Sequence, residues 1–194
     1  MAIITESQFR SIVSQNAGFS GLKGFVNENR IFSKSTSVTS IFLSHSHLDK
    51  DKVEQAKIFF EHLGISIYVD WMDGTMPERT NKVTANKIKS KITENEKFIL
   101  LATNRAVSSK WCNWEVGIGD TYKLSKDNIA ILGLADNNRH WTGNEYLQIY
   151  PSIEYQDGTK KTNTGTYISK GYYVLYPSED NSRRFITLEQ WLKS

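Results

Sequence analysis

From residue 38 onward, the apolar positions of this chain alternate between two rhythms. Residues 39–44 form a short apolar run that ends in small polar residues. A helical stripe comes next, with Val53, Ala56, Phe60 and Leu63 on one face, Asp49 placed to cap its start and Gly64 its end. Residues 65–70 make a second apolar run ending in a carboxylate, and residues 71–80 read as a loop holding Gly74 and Pro77. The next helical stripe turns Val83, Ile88 and Ile92 inward and leaves Lys82, Lys87, Lys89 and Lys91 as a largely solvated face. Residues 98–102 are continuously apolar, as expected of a strand covered on both faces. A further helix starts at Ser109, and residues 129–134 give a fourth strand.

Short apolar strands that alternate with helices imply right-handed crossovers and an α/β fold with a doubly wound parallel sheet. Ligands of such sheets bind beyond the carboxyl ends of the strands. Three places lie there: Ser44-His45-Ser46, Asp70-Trp71, and the approach to the helix that begins at Ser109.

Residues 1–37 read apart from this rhythm, as an N-terminal helical arm and linker that docks on the domain at 38–194. Thr5 and Gln8 form a capping-box pattern ahead of Phe9, Ile12 and Val13. Gly18, Gly21 and Gly24 punctuate the next segment, with Phe25 as an anchor and residues 33–37 as linker. After Asn137 the alternation stops. Residues 149–155 and 171–176 read as extended, with a turn at Asp157-Gly158, and residues 186–193 as a closing helix carrying Leu188, Trp191 and Leu192. The segment at about 154–176 is a hairpin-like excursion.

Composition narrows the picture modestly. A net charge of +3 over 194 residues, with acids and bases interspersed, calls for neither nucleic acid nor an anionic membrane as partner. The single cysteine, Cys112, excludes an internal disulfide and fits a reducing cytoplasm. No run approaches the roughly 18 apolar residues of a spanning helix. There is no glycine-rich phosphate loop, which disfavours hydride transfer and ATP hydrolysis. His45 and His47 are too few ligands for a metal, and His62 and His140 have no ligand-like spacing.

The candidate chemistry lies in Ser109-Lys110-Trp111-Cys112-Asn113-Trp114-Glu115. Trp111, Trp114, Glu115 and Ile118 share one helical face, which is expected to be buried. A carboxylate on such a stripe needs a partner, such as Lys110 or Lys123, or a role in a pocket. Cys112 falls on a different face and reads as a buried small residue. Backbone N–H groups at the start of the helix after residue 44 favour phosphate oxygens, making Ser44, His45 and Ser46 candidates for a diphosphate or the adenosine side of a ligand.

Taken together, Ile41-Phe42-Leu43-Ser44-His45-Ser46 with Asp49, the loop from Asp70 to Pro77, and the Ser109-to-Glu115 segment resemble Toll/interleukin-1 receptor (TIR) domains of the bacterial, NAD-cleaving type, including Thoeris anti-phage sensors. The resemblance covers roughly residues 38–135 and the closing helix. It implies a flavodoxin-like TIR fold of about five strands. It also implies cleavage of the nicotinamide–ribose bond of NAD+, with ADP-ribose or a cyclic or conjugated ADP-ribose signal as product. By the resemblance, Glu115 is catalytic and Ser44, His45, Ser46, Asp70, Trp71, Trp111 and Trp114 contact substrate. NAD+ is then substrate, with no added cofactor and no metal. Self-association through TIR surfaces is implied, as is a separate effector that reads the product. The loop Asp70-Trp71-Met72-Asp73-Gly74-Thr75-Met76-Pro77 departs from the Arg-Asp…Pro-Gly motif of receptor-type members, which argues against adaptor signalling. A non-catalytic TIR assembly module and a nucleoside 2-deoxyribosyltransferase-like enzyme remain as alternatives.

Overall fold

The computed structural model describes residues 3–16, 39–75, 81–162, 164–178 and 184–194. Among the described residues the chain builds an eight-stranded sheet. In chain order it runs β1 (Ile4–Thr5), α1 (Glu6–Asn16), β2 (Ser40–Ser44), α2 (Lys50–His62), β3 (Ser66–Tyr68), α3 (Lys82–Glu94), β4 (Lys97–Ala102), α4 (Asn104–Ser108) and α5 (Lys110–Lys123), then β5 (Ile129–Ala135), β6 (Ser152–Gln156), β7 (Gly171–Leu175), β8 (Phe185–Thr187) and α6 (Leu188–Lys193). The sheet order is β3-β2-β4-β5-β6-β7-β8, with β1 paired to β5. Strands β3 to β6 pair in parallel, as does β1 with the end of β5, whereas β7 and β8 are antiparallel.

Alternation along the strands divides the core into two layers. Ile41, Leu43, Ile99, Leu101 and Leu132 face Phe9, Val53, Phe60 and Trp191 from α1, α2 and α6. Phe42, Phe98, Leu100 and Ile131 face Ile88, Ile92, Cys112 and Val116 from α3 and α5. The doubly wound sheet is therefore present, and three further strands widen it.

Two of those strands are β7, within the excursion, and β8, which lies beyond it and takes up the start of the segment expected as closing helix, so that the helix begins only at Leu188. Residues 152–156 and 171–175 pair in register from Ser152↔Leu175 to Gln156↔Gly171, and β8 adds to β7. The third, β1, comes from the N-terminal arm. Thr5 and Gln8 exchange capping-box hydrogen bonds at 3.0 and 3.2 Å, and Phe9 meets Phe59 edge-on at 5.7 Å. Residues 3–16 thus share the core of the domain, while Gly18, Gly21, Gly24, Phe25 and the 33–37 linker lie outside the described residues.

Several local expectations change. Strand β4 begins at Lys97 rather than Phe98. That lysine is fully buried, with its ammonium donating to Asn128 Oδ1 at 2.8 Å and lying 4.7 Å from the centre of the Trp191 ring. Val83, expected inward, is 64% exposed in the first turn of α3, whose inward face is Thr84, Ile88 and Ile92. Asp49 occupies the N-cap position of α2 but its side chain caps nothing. It is buried, accepts from Thr103 Oγ1 at 2.5 Å, and pairs with Lys52 and Arg105, each at 3.3 Å.

Helix α5 approaches β4 at Gly119, where an added Cβ would lie 3.0 Å from two ring carbons of Phe98. Gly119→Val is therefore expected to cost about 1–3 kcal/mol through overpacking. The check is the denaturant midpoint. An unchanged midpoint would mean that the helix and strand separate freely.

Candidate functional site

The site forms where three loops meet at the carboxyl ends of β2 and β3 and the start of α5. Ser109 caps α5, its hydroxyl accepting from Cys112 N at 3.3 Å. This places Glu115 in the second turn, under the end of β2. Glu115 is 3% exposed, and Ser44 Oγ donates to its Oε2 at 2.6 Å. Neither Lys110 nor Lys123 serves it: the Lys123 ammonium donates to the carbonyls of Thr93 and Asn95.

The buried face of α5 is Cys112, Glu115, Val116, Gly119 and Lys123. Cys112 thus shares the buried stripe with Glu115. The face expected from the sequence is rotated relative to this one, because it lets two large tryptophans define the inward side. Trp111 and Trp114 are half-buried instead, packed on each other with ring centres 4.7 Å apart, and Lys89 lies 5.7 Å from the centre of the Trp114 ring. Gly119 lies inward where α5 packs close to Phe98 of β4.

Burial is the largest influence on Glu115 and, with the nearby negative charge of Asp70, pushes its pKa up to about 8 against opposing hydrogen bonds from Ser44 and Trp111. A carboxyl group with this value is available in both forms near neutrality. Cys112 takes the other course. Its thiol donates to the His45 carbonyl at 3.2 Å, and burial pushes its pKa up to about 12, so it stays a thiol and no nucleophile.

His45 is buried beside this pair. Its Nδ1 lies 2.9 Å from the Leu43 carbonyl and its Nε2 3.4 Å from Asp70 Oδ1. Burial lowers its pKa, opposed by Asp70 and the bond to Leu43. Ser46 accepts from Leu48 N at 3.3 Å and caps a short 3-10 turn at His47–Asp49 that precedes α2. At the start of α2 the carboxylates of Asp49 and Asp51 are offset by Lys52 and Arg105, and the Ser44 hydroxyl is committed to Glu115.

Asp70 starts a second 3-10 turn, where its Oδ1 accepts from Trp71 N at 2.8 Å. Trp71 is half-buried against the α1–α2 core layer, opposite the layer that holds Trp111 and Trp114. The structure thus gathers Ser44, His45, Asp70, Trp111 and Glu115 at one sheet end, with Trp71 and Trp114 on opposite flanks. Met76, Pro77 and the rest of 76–80 lie outside the described residues. Among the described residues, a cavity of about 610 Å³ lies under residues 3–11 and one of about 260 Å³ at the β3 edge, and Glu115 lines neither of these.

Residues 41–164 match the TIR domain family. The chain belongs to that family. As a TIR domain it is similar to a protein of Bacillus cereus (strain MSX-D12) named probable 3′ cyclic ADP-D-ribose synthase ThsB′, with 27% identity over 165 residues, covering 80% of this chain and 76% of that protein. It is also similar to the putative cyclic ADP-D-ribose synthase TIR2 of Cytobacillus dafuensis, with 28% identity over 82 residues, 41% of this chain and 22% of that protein.

The Ser44–Glu115 bond links residues 71 positions apart, which no local pattern in this TIR domain reveals. It also makes a prediction. Ser44→Ala removes a donor that favours the carboxylate, so the Glu115 pKa should rise above its wild-type value. Any activity that needs the carboxylate should lose about tenfold near neutrality, with its rising pH limb displaced upward. A profile that keeps its position would remove Ser44 from the site.

Proposed function

We propose that this chain cleaves the nicotinamide–ribose bond of NAD+ and closes the remaining ADP-ribose into a cyclic product, a signal in bacterial anti-phage defence of the Thoeris kind. The observation that carries the reading is Glu115: a buried carboxylate, hydrogen-bonded by Ser44, at the ligand-binding end of a TIR-domain sheet. The names of the two relatives point the same way, since both describe synthesis of a cyclic ADP-ribose.

The chemistry asks little of the protein. Nicotinamide leaves a pyridinium cation as a neutral molecule, so no general acid is needed, unlike glycoside hydrolysis with its two carboxyl groups. As the C1′–N bond breaks, positive charge develops on the ribose, and one fixed carboxylate beside it stabilises that charge. Glu115 supplies it. Trp111, which also favours the charged form of Glu115, covers the site from the α5 side and helps exclude water. A hydroxyl of the same ADP-ribose then attacks C1′ and loses its proton, which closes the ring. NAD+ is the substrate and no added cofactor is required.

His45 and Asp70 line the same end and are assigned to substrate, with Ser44 as the residue that positions Glu115. The cleft is completed by a second copy of the chain, through TIR surfaces that include exposed Leu48 beside the His47 turn. A separate effector reads the product.

Incubation of purified protein with NAD+, followed by mass analysis, tests this. The expected products are nicotinamide and a compound one water lighter than ADP-ribose. Linear ADP-ribose alone would refute cyclisation, and intact NAD+ under conditions of self-assembly would refute the activity.

A further inference from the structure

We propose that His45, His47 and Asp70 form a binding site for a zinc-like divalent cation beside Glu115. The three come from two loops, His45 and His47 from the connection after β2 and Asp70 from the end of β3. One ligand atom from each lies within 4.8 Å of the others.

The hydrogen bonding of His45 leaves one ring nitrogen free to ligate. Its Nδ1 stands 2.9 Å from the Leu43 carbonyl, which only accepts, so Nδ1 carries the proton. In neutral imidazole the Nε2 lone pair is then bare. Nε2 is buried without a hydrogen-bond partner among the described residues, and His45 is only 6% exposed. Asp70 Oδ1 faces it at 3.4 Å. Two acceptors at that separation repel, and a cation between them replaces the repulsion with two bonds.

The spacing fits. Tetrahedral zinc with bonds of about 2.0–2.1 Å has ligand–ligand edges of about 3.4 Å. The outer shell is also in place. A metal-binding histidine commonly donates its other N–H to a carbonyl, as His45 does to Leu43, and a ligating carboxylate is itself hydrogen-bonded, as Asp70 is by Trp71 N at 2.8 Å. His47 is exposed, its ring centre 6.1 Å from that of His45, and with its ligand atom within 4.8 Å of the other two it closes the third bond by a side-chain rotation. Two imidazoles and one carboxylate suit zinc, copper or nickel rather than magnesium or calcium.

Bound there, the cation inhibits. Asp70 and Glu115 sense each other's charge, and a divalent cation on Asp70 opposes the positive charge that develops on the ribose. This consequence rests on the proposed NAD+ reaction; the binding does not.

Titration of the purified protein with Co2+, followed by visible absorption and by displacement with Zn2+, decides the binding. One equivalent is expected. His47→Ala, a surface change that does not threaten the fold, and Asp70→Asn should each weaken it by about tenfold or more, the cost of losing even an outer-shell partner. His140→Ala should leave it unchanged. Absence of stoichiometric binding, or binding that survives both ligand substitutions, overturns the site. Saturating Zn2+ should slow nicotinamide release by the wild type and spare His47→Ala. Equal inhibition of the two would overturn the inhibitory role while the Co2+ result stands separately.

Discussion

Glu115→Gln is expected to lower the rate of nicotinamide release by about 10²–10³-fold while leaving the protein as stable as, or more stable than, the wild type. The two halves have one cause. Glu115 sits in a buried position whose desolvation resists its charge, and that charge is what the developing ribose cation needs. An amide of the same shape still accepts from Ser44 Oγ but brings no charge, so the desolvation cost disappears and so does the electrostatic stabilisation. Structural residues behave oppositely, losing stability first. Initial rates and denaturant midpoints for both proteins check this, and a variant that is active, or inactive because it is unfolded, contradicts it.

The second large effect is on pH dependence. Since the folded pKa of Glu115 is raised to about 8, the folded protein holds a proton that the unfolded chain has already lost. The stability from this group is fully present below the ordinary glutamate range, declines as pH rises towards about 8, and is constant above it, a loss of a few kcal/mol in all. Activity runs the other way. The carboxylate is the working form, so kcat/KM should climb with pH and level off above about 8, reporting the free enzyme. The kcat limb should lie lower, because bound pyridinium favours the carboxylate. In Glu115→Gln the stability decline attributed to this group should vanish. A wild-type kcat/KM profile flat from about pH 5 to about pH 9 would contradict the assignment.

Much of the frame is legible in the sequence because parallel strands buried on both faces leave nearly unbroken apolar runs. Residues 98–102 and 129–134 mark β4 and β5 to within a residue at one end. Capping chemistry is equally local: Thr5 and Gln8 exchange the hydrogen bonds that their spacing indicates. Where charge meets burial the pattern misleads. Lys97 and Asp49 are buried through partners 31 to 97 positions away in sequence, Asn128, Ser194, Thr103 and Arg105 among them. The inward face of α5 differs from its apolar pattern because Gly119 permits a close approach that places small Cys112, not Trp114, against the sheet. Glu115 is conspicuous in the sequence as a carboxylate among aromatics. Its hydrogen bond from Ser44, and the meeting of His45 with Asp70, exist only once β2, β3 and α5 are assembled.

Side-by-side measurement of nicotinamide release from NAD+ by the wild type, Glu115→Gln and Glu115→Asp, under conditions in which the wild type is active, tests the central claim most directly. The expected result is release by the wild type, weaker release by Glu115→Asp, and almost none by a folded Glu115→Gln. Release by Glu115→Gln at the wild-type rate would show that the buried carboxylate does not carry the reaction.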